Sequence, residues 1–125
     1  MRVRDGLGVV LVCGLCYVNF GGGTFHYDDF HSLVENPHIR SLANIPQFFA
    51  DPGAFSGDAE KKMYRPLLLV SYAVQYALHG LEPLGYLLGN WLIHCAVSLL
   101  VGALVSRILD DPRAGLVGAL FFAAH

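Results

Sequence analysis

The sequence predicts an all-α membrane protein, the N-terminal part of a multi-span helical bundle with a large external loop. Three observations predict it. Hydrophobic residues make up 54% of the 125-residue chain and charged residues only 14%, where a soluble domain usually carries about 25% charged residues. Two stretches of spanning length, 6–25 and 84–106, contain no charge. Between them lies a polar tract, NPHIRSLANIPQFFADPGAFSGDAEKK, with prolines at 37, 46 and 52. A formal net charge of −2 offers no basic surface for nucleic acid.

The first element is the run GLGVVLVCGLCYVNFGGGTF, 6–25. At ~1.5 Å per residue, about 20 residues cross the ~30 Å hydrocarbon layer. The basic start MRVRD, the apolar middle and the small residues Gly21, Gly22 and Gly23 also fit a secretory signal peptide. The apolar character of the later chain favours a retained span. Cys13 and Cys16 form a C-x-x-C pair and Cys95 lies in the second span. Small apolar cysteines in helix packing explain all three, and nothing demands a disulfide or a metal pair.

The loop 26–65 follows. SLANIPQFF reads as a short amphipathic helix suited to a membrane surface, and DPGAFSGD as a turn region. A helix over 66–80 comes next, with Pro66 in its first turn and Gly80 as its C-terminal cap. Ser71, Gln75 and His79 form one polar stripe on it. It is too short to span comfortably and suits the interface or burial against a bundle. The second span is LGYLLGNWLIHCAVSLLVGALVS, 84–106, and a third begins over 114–125. A membrane helix ending at that point would leave terminal carbonyls unpaired in lipid, so the sequence reads as an N-terminal fragment of a longer protein. Arg2 and Arg4 flank the first span; Arg107 and Arg113 flank the connection RILDDPR. The positive-inside rule puts these ends in the cytoplasm. The loop, which carries Arg40, Lys61, Lys62 and Arg65, then faces the exterior, periplasm or lumen.

The densest ionisable cluster is FHYDDFHSLVENP, 25–37. Asp28 and Asp29 sit between His26 and His31 at the outer end of the first span. Adjacent carboxylates suit a general base beside a group that orients a substrate. Asp29 is equally competent as the N-cap of a helix starting near Phe30. A divalent metal is the cofactor these residue types allow, with His26, Asp28, Asp29 and His31 as its ligands. Their dense spacing matches no standard zinc pattern. In the second span, Tyr86, Asn90, His94 and Ser98 recur at i, i+4 spacing. Polar residues in a membrane helix face a bundle interior or a cavity, so they serve either interhelical hydrogen bonds or a site lining.

Several stretches in order, FHYDDFHSLVENPHI, YRPLLLVSYAVQYALHG, EPLGYLLGNWLIHCAVSLLV and LVGALFFAAH, together resemble the N-terminal part of TMTC-type proteins (transmembrane and tetratricopeptide-repeat proteins) and their bacterial relatives. These look like members of the GT-C superfamily of glycosyltransferases. The resemblance implies a multi-span bundle with catalytic acidic residues in the first external loop. It also implies a polyprenyl-phosphate sugar donor, commonly mannose on dolichyl phosphate, and a protein hydroxyl as acceptor. Carried over by position, Asp28 and Asp29 match the acidic pair, with Asp28 the better candidate for the base. Arg65 matches an arginine that would contact the donor phosphate, a role suited to a guanidinium. Asn90 and His94 fall in the matching motif of the second span, and His125 matches a histidine that relatives usually follow with proline. The sequence departs from the pattern at Phe30, where many relatives carry a polar residue, and the later spans and repeats lie outside it.

Three functions therefore compete. One is a glycosyltransferase in the endoplasmic reticulum or a bacterial inner membrane, with the N-terminus cytoplasmic. Another is a transporter or ion-handling protein whose pathway is lined by Asn90 and His94. The third is a non-catalytic scaffold that holds partners through downstream repeats.

Overall fold

The computed structural model describes residues 3–17 and 23–125, and among these the secondary structure is entirely helical. The described residues form α1 (Val3–Cys16), α2 (Ile45–Ala50), α3 (Pro66–His79), α4 (Pro83–Ile108) and α5 (Pro112–Ala123). Short π- and 3-10 turns lie at Phe30–Val34, His38–Arg40, Leu42–Asn44 and Pro52–Phe55. The chain divides into two compact units: Gly23–Tyr86, and Met1–Gly22 together with Leu87–His125.

The second of these is a helical bundle. Its α4 segment belongs to a 26-residue helix, about 39 Å long. Among the described residues α4 alone is long and apolar enough to cross a membrane. Only 17% of its most apolar window is buried, unlike the core helix of a soluble protein. The expected first span is described as helix only over Val3–Cys16; residues 18–22 lie outside the described part, as does Arg2. Residues 23–26 are not helical. The third apolar helix, α5, begins at a conventional cap: Asp111 accepts the Arg113 N–H at 2.8 Å, with Pro112 in the first turn.

Small side chains bring these helices together. The core holds Val9, Cys13, Cys95, Ala119 and Ala123, with Trp91, Leu99, Leu116 and Leu120 packed around it. Gly115 is buried where a Cβ would stand 2.6 Å from the Gly102 carbonyl oxygen and 2.6 Å from Ser106 Cβ. Close backbone approach of this kind is how helices associate without a hydrophobic driving force between them. Gly115→Leu is expected to force α5 from α4 and cost about 1–3 kcal/mol. Thermal melting of the complete protein in detergent would register it; an unchanged midpoint would show that the seam yields.

The Gly23–Tyr86 unit has its own core of Leu33, Ile39, Phe48, Ala54, Phe55, Leu69, Ala73 and Tyr86. The SLANIPQFF segment forms a 3-10 turn and then α2, which packs on α3. Phe48 is 1% exposed and only its neighbour Phe49 points outward, so the segment is anchored in the core, not laid flat by both aromatics. DPGAFSGD is likewise more than a turn. Asp51 caps a 3-10 turn by accepting the Gly53 N–H at 2.7 Å, and Ala54, Phe55 and Ser56 are buried. That carboxylate is held below its usual range, chiefly by the Gly53 N–H and then by the Gln47 amide.

Helix α3 matches its expected bounds. Gly80 closes it at φ 64°, a conformation natural to glycine, with its N–H on the Tyr76 carbonyl. Its buried face is Leu69, Ala73 and Gln75. Gln75 is buried while Leu67 and Leu78 are 75% and 78% exposed. The Ser71 hydroxyl donates to the Leu68 carbonyl, and the His79 ring meets Tyr86 edge-on.

Candidate functional site

The acidic pair sits at the start of a single π-helical turn, Phe30–Val34. Tyr27, with φ 44° and its side chain 93% exposed, reverses the chain just before it. A positive φ is uncommon for a bulky residue, and such positions cluster at functional sites. The turn is closed by Asp29 N–H on the His26 carbonyl at 2.9 Å and Phe30 N–H on the Tyr27 carbonyl at 3.3 Å. Asp29 occupies the cap position but makes no forward cap. Its carboxylate instead folds back and accepts the His26 N–H at 3.1 Å. Asp28 is held through its backbone, whose carbonyl accepts the Ser32 hydroxyl at 2.6 Å.

A buried polar clamp fixes this turn against the Pro52–Phe55 segment. Asn36 is 0% exposed. Its Nδ2 lies 3.1 Å from each of three carbonyl oxygens, those of Ser32, Ala54 and Phe55. Its Oδ1 accepts the His38 N–H at 2.9 Å. Arg40 adds a guanidinium bond to the Val34 carbonyl and lies over the Tyr76 ring, 4.4 Å from its centroid.

The result is a cavity of about 350 Å³. Its lining carries the carboxylates Asp28, Asp29 and Glu60 and the cations Lys61, Lys62 and Arg65. Phe55, Met63 and Leu68 supply apolar wall, and His31, Ser32 and Tyr72 supply hydrogen-bonding groups. The Arg65 guanidinium lies 5.8 Å from the Phe55 ring centroid. Burial, reinforced by the Asp29 charge and opposed by Arg65, raises the Tyr72 phenol above its ordinary range. At neutral pH it is a neutral hydroxyl facing charged neighbours.

Among the expected site residues, Asp28, Asp29 and Arg65 thus share one cavity. Asn90, His94 and His125 belong to the bundle unit. There His94 Nε2 lies 3.2 Å from the Ala123 carbonyl and its ring stacks on Phe122 at 5.5 Å. The Ser98 hydroxyl donates to the His94 carbonyl at 2.7 Å. Asn90 and His125 are exposed.

No family model and no solved structure matches the chain. Curated proteins do. The chain is 36% identical over 115 residues to Protein O-mannosyl-transferase Tmtc1 of Drosophila melanogaster, covering 87% of itself and 13% of that protein. It is 29% identical over 120 residues to Protein O-mannosyl-transferase TMTC3 of Mus musculus, covering 94% and 13%. To Protein O-mannosyl-transferase TMTC4 of Mus musculus it is 28% identical over 136 residues, covering 95% and 18%. The chain is of the TMTC type.

This TMTC-type chain spans only 13% to 18% of the length of these relatives. Its cavity is lined by both carboxylates and cations, a combination fit for holding an anion while a proton is removed next to it. Of the four residues considered as metal ligands, His31 contacts Asp28 and Asp29 accepts the His26 N–H. Thr24 Oγ1 and His26 Nε2 lie 2.9 Å apart, and His31 lies between Asp28 and Ser56. Among the described residues no three His, Cys, Asp or Glu side chains are grouped to hold a metal ion.

Sequence reasoning missed Tyr72, Phe55, Asn36 and Ser56. Tyr72 had a signal: with Arg65 and Leu68 it falls at i, i+3, i+7, one face of a helix. Asn36 had none, because Asn-Pro reads as loop punctuation whether or not the amide is buried.

Proposed function

We propose that the complete protein is an integral-membrane glycosyltransferase. It moves a mannose from a polyprenyl-phosphate carrier to a protein hydroxyl at the external or lumenal face, and the Gly23–Tyr86 unit supplies its acidic site. The reading is carried by the single cavity that holds Asp28, Asp29 and Arg65. The names of the relatives support it. In this reading the acceptor hydroxyl gives its proton to Asp28 as its oxygen attacks the anomeric carbon. The carbon–oxygen bond to the phosphate breaks, and the electron pair leaves with the carrier phosphate. Arg65, aided by Lys61 and Lys62, faces that phosphate. Asn90, His94 and His125 enter no step of this scheme. The membrane is the endoplasmic reticulum or a bacterial inner membrane, with the N-terminus cytoplasmic.

The test is transfer of labelled mannose from a polyprenyl phosphate to a Ser/Thr peptide by membranes containing the complete protein. Absence of transfer across donor chain lengths would overturn the reading. Arg65→Gln is expected to raise the donor KM about tenfold, the worth of one charge-assisted hydrogen bond, with the acceptor KM unmoved. An unchanged donor KM would remove Arg65 from the phosphate site.

A further inference from the structure

The Asp28 side chain is 92% exposed, whereas that of His31 is only 11% exposed. A carboxylate so exposed would ordinarily sample its staggered rotamers freely. Here His31 Nε2 lies 3.4 Å from Asp28 Oδ1, and His31 Nδ1 lies 3.0 Å from Ser56 Oγ. The donor roles follow by elimination. An ionised carboxylate only accepts, so Nε2 carries the proton. In a neutral ring Nδ1 is then bare; the Ser56 hydroxyl, whose other acceptor is the His31 carbonyl at 3.4 Å, lies closer to Nδ1 at 3.0 Å and gives its proton there. Ser56 Oγ in turn accepts the Asp58 N–H at 2.8 Å. With that choice the donors run from the Asp58 N–H through Ser56 and His31 to Asp28. The ring is also fixed in place. It packs against Phe55 at 6.0 Å between centroids, and the His31 carbonyl accepts the Gly57 N–H at 2.8 Å.

We propose that His31 is the positioning residue for Asp28: through the buried Ser56–His31 pair it tethers the exposed carboxylate to the cavity wall and sets its direction. The inference rests on Asp28 being the proton acceptor of the proposed transfer, and it gives His31 a role without any metal.

Two substitutions separate the tether from simple filling of space. Glutamine at 31 places its amide near the position of Nε2, and asparagine places its amide near Nδ1. In the complete protein, His31→Gln is expected to keep most of kcat. His31→Asn is expected to lose about a hundredfold in kcat with both KM values unchanged, the effect of a misdirected group. Equal kcat in the two folded variants would overturn the proposal. A second readout is independent of sugar transfer. In nitrogen-15 spectra of histidine-labelled complete protein, assigned with His31→Gln, His31 should be the Nε2–H tautomer, and Asp28→Ala should shift its Nε2 signal. An Nδ1–H tautomer, or a signal indifferent to Asp28→Ala, would overturn the tether. If the wild-type protein transfers no sugar, the functional reading falls, and the tautomer alone decides the tether.

Discussion

Asp28→Asn in the complete protein is expected to lower mannose transfer by about 10²–10⁴-fold, the usual worth of a positioned general base. The fold should not change. The carboxylate is almost wholly exposed, the asparagine amide oxygen can still accept the His31 Nε2–H, and the Ser32 bond to residue 28 goes to the backbone. Carboxylate and amide have nearly the same shape, so binding of donor and acceptor should persist and the loss should appear in kcat. Asp29→Asn should behave differently. Its carboxylate accepts the His26 N–H, and an amide oxygen accepts the same bond, so a smaller fall is expected. Full transfer by Asp28→Asn with a native melting curve would remove the base assignment.

Asn36→Asp is expected to be the most destabilising polar change in the loop unit, worse than Asn36→Ala. In the wild type one NH₂ faces three carbonyl oxygens at 3.1 Å. Alanine leaves those carbonyls short of a donor in a fully buried place and costs about 3 kcal/mol. Aspartate replaces the donor by a charged oxygen facing the same carbonyls and adds the penalty of a buried unpaired charge. Thermal unfolding of the complete protein in detergent ranks the two. The opposite order, or no change in either, would show that Asn36 does not hold the acidic turn to the Pro52–Phe55 segment.

The helices were legible because long apolar runs and terminal prolines and glycines are local signals. Pro66 and Gly80 bound α3 as expected, and α4 extends its expected range by one residue before and two after. The site was legible only in part. Asp28 and Asp29 stand out as adjacent charges, and Arg65 came from family resemblance. What brings them into one cavity is non-local: Asn36 with Phe55, and His31 with Ser56, are pairings 19 and 25 residues apart. No periodicity encodes such contacts. The same limit explains Phe48 and Phe49. Adjacent aromatics look alike in sequence, and only packing against α3 decides which one is core.

The closed core of the Gly23–Tyr86 unit bears on the order of biosynthesis. Every residue of that core, and every apolar neighbour packed on it, comes from within the same stretch of chain. Its contacts can therefore form as soon as Tyr86 has left the ribosome, which adds roughly 5–20 residues per second. The acidic turn does not wait for α5 to be translated. It can take its final geometry while the remainder of the polypeptide is still being made.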